Sequence, residues 1–344
     1  MTERIAIVGA GIVGCLVAHQ VRAANPSAKI LIIERDQAGL GASQRSAGVH
    51  FSTGRTERVR SMSLFSERYY VSLKSCNPAV PIYPMNLYAV SSHAAAPALR
   101  EFFVAPGKLE STATDRHWVI PLPKDCSVWS VPGCHHADVG ALARMFAREL
   151  RNQVTLLEGV AVETVAERPE CVDLTLTTGE MVRAEKVILV PGPWVNADGW
   201  RELTEPLGVR VKKVVALHFD HPIEDTDAAI LFPEEDAFIV PLRDRGHWLY
   251  SYTCAEWDVS PDGLRSGLSD RNLKDGCDVL CRYAPELARS LRSGRVFCDA
   301  YSPTREPLIT KVGKSGNVIF VGAANGSGYR LAPGIAAEAV SLLN

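Results

Sequence analysis

Six residues near the start of the chain, Gly9-Ala10-Gly11-Ile12-Val13-Gly14, have the spacing of a phosphate cradle. Gly9 permits a tight turn, Gly11 lets a pyrophosphate come up against the backbone, and Gly14 lets a helix lie close on a strand. The free N–H groups and positive dipole end of that helix then face the phosphates. Glu34, twenty residues past Gly14, stands where a carboxylate accepts hydrogen bonds from ribose hydroxyls, and its charge disfavours a 2′-phosphate. Alone, a GxGxxG is a weak signal, because a glycine turn in any α/β sheet can carry it. Its context here is what gives it weight.

That context is a βαβ unit. Residues 5–8 are an apolar run, Val13, Leu16, Val17, Val21 and Ala24 recur at helical spacing up to a stop at Asn25-Pro26, and residues 29–33 are a second apolar run. Further on, two textures alternate. Helix-and-strand material at 1–50, 137–200 and 305–344 is separated by β-rich, proline-bearing stretches at 51–136 and 201–304. The pattern predicts an α/β protein of two domains: a Rossmann-like nucleotide-binding domain built from discontinuous segments, and an inserted antiparallel-sheet domain for the substrate. Strands are expected at 87–90, 118–120, 154–157, 161–165, 172–177, 187–190, 214–219, 237–241, 248–252 and 317–321. Helices are expected at 137–151, 270–283 and from Ile335 to the end.

Composition narrows the function. The 344 residues are 47% hydrophobic and 22% charged, ordinary for a globular protein. Lysines and arginines number 37 against 39 acids, a net charge of −2, so no basic excess exists to hold a phosphate backbone and nucleic acid is not an expected partner. Nine cysteines carry no CxxC pair, and Cys134-His135-His136 has no second ligand pair nearby, so it reads as a loop rather than a metal centre. No signal-peptide layout opens the sequence and no apolar run reaches the ~18 residues of a membrane span, which points to the cytoplasm.

FAD and NAD share the opening fingerprint, and three further segments favour FAD. Ala42-Ser43-Gln44-Arg45-Ser46-Ala47-Gly48 supplies small residues, hydroxyls and a cation soon after the second strand. Residues 187–194, VILVPGPW, end a strand in a glycine turn at Gly192, beside Trp194. Residues 322–331, GAANGSGYRL, place Gly326-Ser327-Gly328-Tyr329-Arg330-Leu331 before the closing helix as a second anion-binding nest. No second GxGxxG is present for a pyridine nucleotide beside a flavin, which weighs against an NAD(P)-linked reductase or binding module.

In their order, IAIVGAGIVG, LIIERD, GASQRSAGVH, VILVPGPW, RVFCDAYSPTREPLI and NVIFVGAANGSGYRLAPG, the segments resemble the flavin-dependent D-amino-acid oxidase superfamily across nearly the whole chain. The resemblance implies contacts from Glu34 and Arg35 to the adenosine, and from Ser43 and Arg45 to Gly48 to the pyrophosphate and ring system. It implies a backbone contact from Val162 to the adenine, Gly192 and Trp194 along the nucleotide, and Gly326 to Leu331 beside the isoalloxazine. It further implies oxidation of the C–N bond of a small amino acid (a D-amino acid, glycine or an N-substituted glycine) by hydride transfer to flavin N5, with O2 or another acceptor taking the electrons. Oxidation of a 2-hydroxy acid is the alternative.

The superfamily's substrate-gripping arginine is missing where Cys298-Asp299-Ala300-Tyr301-Ser302-Pro303-Thr304-Arg305 stands, leaving Arg305 and Arg330 as substitutes. Relatives carry a lysine matching Arg330 that meets the substrate carboxylate. His50, two residues past Gly48, is a candidate to bond or deprotonate the amine. Tyr250 and Tyr252 alternate on one strand, and Tyr252 is the candidate to bond a carboxylate from above. Cys298 falls where some relatives bond their flavin covalently, which requires a thiolate against the ring edge.

Overall fold

The computed structural model describes residues 4–95, 99, 102–103, 109–112 and 126–343. The strand expected at 118–120 lies outside them. In chain order, β1 (Arg4–Val8), α1 (Ile12–Ala24) and β2 (Lys29–Glu34) form the βαβ unit. Next come α2 (Ala42–Arg45), β3 (Val49–His50), α3 (Glu57–Cys76), β4 (Ile82–Pro84), β5 (Leu87–Ser92), β6 (Glu110–Thr112), β7 (Cys126–Val131) and β8 (His135–Ala137). After α4 (Val139–Leu150) run β9 (Thr155–Glu158), β10 (Val162–Glu167), β11 (Val172–Leu176), β12 (Met181–Ala184) and β13 (Lys186–Leu189). Following α5 (Arg201–Thr204) are β14 (Arg210–Phe219), β15 (Ala229–Phe232), β16 (Ala237–Leu242) and β17 (His247–Tyr252). The remaining elements are α6 (Asp270–Leu280), α7 (Pro285–Ser290), β18 (Ser293–Tyr301), β19 (Leu308–Val312), β20 (Val318–Gly322) and α8 (Gly328–Ser341).

Two large sheets face each other across the site. The first has six strands in the order β19-β20-β13-β1-β2-β9, parallel except for the edge strand β19. Its strands are near-continuous Ile, Val and Leu because helices cover one face and the β10-β11-β12 meander with its neighbours covers the other. The second has eight strands in the order β18-β14-β17-β16-β15-β5-β7-β6, antiparallel except where β5 runs beside β15. A small sheet, β3-β8-β4, bridges the two halves. Thus Cys134-His135-His136 opens a strand rather than a loop. Among the described residues no group of His, Cys, Asp and Glu is placed to hold a metal.

α3 went unforeseen, and it moves residues between the two layers. Val59, Met62, Tyr70, Val80 and Ile82 share a core with α1, α4 and α8 and not with the eight-stranded sheet, although 51–136 was expected to belong with that sheet. The buried face of α3 is Val59, Met62, Ser63, Ser66 and Tyr70; two serines dilute the apolar stripe that would have announced a helix. Those serines serve close packing: Gly334 of α8 comes so near that a Cβ there would stand 3.0 Å from Met62 Cβ, and its N–H donates to Ser66 Oγ at 3.2 Å.

α8 begins at Gly328, seven residues before the periodicity suggested, and carries Pro333 inside it. Proline has no N–H to give the carbonyl four residues back, Tyr329. The Tyr70 hydroxyl fills that vacancy, donating to the Tyr329 carbonyl at 2.7 Å. A polar interruption in the helix is thereby repaired from α3.

Candidate active site

A cavity of about 1210 Å³ lies between the sheets. One end is built by the glycine turn. Gly9 has φ +106°, a conformation that side-chain-bearing residues rarely adopt, and a Cβ there would sit 2.3 Å from the Val190 carbonyl oxygen. A Cβ on Gly14 would sit 2.0 Å from the Gly9 carbonyl oxygen, so β1 and α1 touch at this point. Gly11 is different: its φ of −69° is ordinary, and a Cβ would meet only Ser43 Oγ at 3.3 Å. The space beside Gly11 belongs to the cavity. Ser43 Oγ accepts the Ile12 N–H at 3.0 Å and fixes the loop carrying α2 over the start of α1.

Glu34 lines the same end. Its carboxylate accepts the N–H of Ala10 at 2.7 Å and of Asp36 at 3.0 Å, while burial lifts its pKa above the usual carboxylate range. Beyond it the Arg35 guanidinium stacks 3.8 Å over the Trp194 ring, and both side chains bond Asp262, at 3.2 and 3.1 Å. Val162 at the start of β10 and Gly192, where a Cβ would meet nothing within 4 Å, complete this wall.

Not every residue expected along the nucleotide reaches the cavity. Gly9, Gly11, Ile12, Val13, Gly14, Ala42, Ser43, Ser46, Ala47, Gly48 and Gly326 to Leu331 do. Ala10 does not: it is buried in the core behind the turn, and its N–H is given to Glu34. Arg45 does not either. It donates to the Val296 carbonyl at 3.0 Å and ties α2 to β18.

The other end gathers around Arg330 in the first turn of α8. Its guanidinium donates to the hydroxyls of Thr53 and Ser327, the latter at 2.6 Å, and lies 5.4 Å over the Phe51 ring. Burial pushes its pKa down to about 10. Among the described residues no carboxylate pairs with it. Arg295 is likewise desolvated and without a carboxylate pair among the described residues, but it lies outside the cavity lining and gives its N–H groups to the carbonyls of Arg45 and Ser46 at 2.9 and 3.2 Å. Arg305 lies on the cavity's exposed rim, in a turn that holds it at φ +61°.

Three expected roles are overturned by position. His50 is wholly buried outside the cavity lining. Its ring stacks on His135 with centroids 4.7 Å apart, both of its nitrogens lack partners, and burial holds its pKa well below the usual value. A residue so enclosed cannot meet a substrate amine. Tyr252 borders the cavity, yet its hydroxyl points to the helical side of the sheet and donates to the Asn272 carbonyl at 2.7 Å; its companion Tyr250 is packed in the same core. Cys298 faces away from the cavity into the core with Val211 and Ala300, and burial together with Asp299 pushes its thiol up to about 12. No thiolate forms there at neutral pH.

One step along β18 the pattern reverses. Phe297, Asp299 and Tyr301 line the cavity while Val296, Cys298 and Ala300 are buried behind. Asp299 accepts the N–H of Ala300 at 2.9 Å and that of Gly326, and burial raises its pKa to about 6. Opposite it in the β14–β18 register stands Lys212, whose ammonium lies 5.3 Å from both the Trp257 and the Tyr301 rings; burial lowers its pKa. The period-two alternation of small and apolar residues in 296–300 was the signal for Asp299 and Tyr301.

The cavity's features fit one cofactor: an open flank at Gly11 and Gly192, a carboxylate at ribose reach, and a second glycine-rich helix start at Gly326 to Leu331. Residues 4–342 match the family of FAD-dependent oxidoreductases, and the chain belongs to that family. It is therefore an FAD-dependent enzyme.

Among solved structures, it is similar to glycine oxidase from Geobacillus kaustophilus, with a TM-score of 0.80, 17% identity, and coverage of 99% of this chain and 95% of that one. L-proline dehydrogenase from P. horikoshii superposes with a TM-score of 0.84 at 14% identity, over 100% and 93% of the two chains. Iminodiacetate oxidase from Chelativorans sp. BNC1 gives 0.77 at 17% identity, over 99% and 95%. No curated protein sequence matches the chain.

Proposed function

We propose that the enzyme oxidises the C–N bond of an amino acid to an imine, with Arg330 holding the substrate's carboxylate. The observation that carries this reading is a cavity-facing guanidinium, desolvated and bonded only to two hydroxyls, with no acid beside it among the described residues. A buried cation without a counter-charge is costly, and a bound carboxylate supplies the missing partner. The neighbours found in solved structures, described as glycine, L-proline and iminodiacetate enzymes, act on molecules that carry an amine beside a carboxylate.

Gly11 and the N-terminus of α1 would receive the FAD pyrophosphate, Glu34 a ribose, and the loop from Gly326 to Leu331 the ring system. Bound FAD supplies the hydride acceptor. The chain's own part is orientation and exclusion of water. Arg330, fixed by Thr53 and Ser327, sets where the carboxylate lies and so which hydrogen on the neighbouring carbon is presented. The substrate ammonium must lose a proton to solvent before the C–H bond breaks, and His50, enclosed outside the cavity lining, is not the group that takes it. The nine cysteines are all free, in keeping with a reducing compartment. No helix among the described residues is long and apolar enough to cross a membrane.

Anaerobic bleaching of the flavin tests the reading. D- and L-amino acids, N-methyl amino acids and glycine form one panel, and 2-hydroxy acids a second. Bleaching by members of the first panel is expected; bleaching confined to the second would replace the amine with an alcohol.

A further inference from the structure

We infer that the substrate is an amino acid with an apolar side chain, aromatic or branched aliphatic, rather than glycine or a small N-substituted glycine. The inference rests on Arg330 as the carboxylate anchor and concerns what lies beside it. Phe51, whose ring is under the guanidinium at 5.4 Å, begins an apolar wall. Leu231 and Phe238 form a cross-strand pair of β15 and β16, and both line the cavity. Leu99 and Phe102, from the segment after β5, line it as well.

All five belong to one packed cluster. Leu99 and Leu231 are buried in it, while Phe51, Phe102 and Phe238 are only partly covered and lean on it, and all three border the cavity. An unligated cavity leaves such surface wet, and a side chain that covers it gains the hydrophobic transfer energy that glycine lacks.

The wall offers little to a polar side chain. At its edge, the Glu234 carboxylate is occupied by the N–H and hydroxyl of Ser92, at 2.7 and 2.9 Å. The Arg55 guanidinium lies 5.8 Å over the Phe102 ring, on an exposed residue. The buried Ser91 hydroxyl, without a partner among the described residues, is the one polar group set within the wall, and Arg55 stands at its exposed edge, so most of a polar side chain pressed here would lose water without gaining a partner.

Carboxylates that cannot be oxidised test this directly on the holoenzyme, read by the shift of the flavin absorption bands on titration. Dissociation constants for 3-phenylpropionate and 4-methylpentanoate are expected to be at least about tenfold below that for acetate, with succinate no tighter than acetate. Phe238→Asn should shrink the advantage of the two apolar tails to less than about threefold and leave the acetate constant within about twofold. Equal affinity for acetate and 3-phenylpropionate in the unmodified enzyme would overturn the inference, as would succinate binding tightest. Should apolar tails bind tighter while no amino acid bleaches the flavin, the wall stands and the amine reading falls. Should glycine bleach it as fast as leucine or phenylalanine of either hand, the wall falls and the amine reading stands.

Discussion

The two ends of the cavity are equipped for negative charge by different means. At the glycine end the donors to negative charge are backbone N–H groups at the start of α1, and a neighbouring side chain, Glu34, is itself acidic. At the α8 end the donor is one guanidinium carried on a side chain and held by two hydroxyls. Backbone recognition demands glycines at fixed offsets, so it leaves a mark in the sequence. Side-chain recognition demands only that distant segments converge, and the mark it leaves is a lone arginine among many.

The largest effects should come from the backbone end, and they should split. Gly14→Val places a side chain where 2.0 Å separates Cβ from the Gly9 carbonyl oxygen, so loss of soluble folded protein is expected, a cost above about 4 kcal/mol. Gly11→Val has only Ser43 Oγ to displace, at 3.3 Å, so the chain should fold and melt within a few degrees of the unmodified apoprotein. Its flavin content after purification should nonetheless fall by more than about tenfold, because the valine fills the pyrophosphate's approach. A Gly11→Val enzyme that purifies fully yellow would show that the backbone end does not bind phosphate.

Smaller is the effect at the side-chain end. Arg330→Met removes a charge-assisted contact of about 1.5–3 kcal/mol and should lower kcat/KM for a carboxylate substrate by roughly one to two orders of magnitude. Flavin content should not change. Unaltered kcat/KM would leave the two ends without the functional difference drawn between them.

Between the ends, Asp299 gives a pH-dependent prediction. Its folded pKa of about 6 lies above the ordinary aspartate value, so ionising it opposes folding. The penalty sets in as pH rises through the ordinary aspartate value near 4, grows up to about pH 6, and is complete above about pH 7. Asp299→Asn should therefore stabilise the protein by about 1–3 kcal/mol at pH 8 and by less than about 1 kcal/mol at pH 4, followed by denaturant unfolding at equal flavin occupancy. The smallest expectation is no effect. Acid precipitation should leave all flavin in the supernatant for both the unmodified enzyme and Cys298→Ser, since the thiol faces the core.

Legibility followed the same division. β1, α1, β2 and the close contacts at Gly9 and Gly14 could be read directly, because a tight turn and a helix packed on a strand each require glycine. Arg330 was singled out only through likeness to relatives; nothing in its neighbours predicted Thr53 as a partner, 277 residues away in the chain. His50 was misplaced because proximity to Gly48 in sequence says nothing about which way β3 turns its side chains. Cys298 was misplaced by one residue, and in a strand one residue inverts the facing. α3 escaped notice because its packing uses serines against a glycine. Its affinity for α8 lies in closeness rather than in hydrophobicity.

The placement of β20 and α8 has a consequence for synthesis on the ribosome. β20 lies between β13 and β19 in the six-stranded sheet, and α8 packs against both α1 and α3. Until residues 318–341 emerge from the exit tunnel, β13 has an unpaired edge, α1 and α3 lack the helix they pack against, and the Tyr70 hydroxyl has no carbonyl to meet. The nascent chain thus carries a nearly finished nucleotide-binding layer that cannot close. Chaperone dependence and flavin capture should both be governed by this late arrival, and circular permutation that moves β20 and α8 ahead of β1 should relieve it.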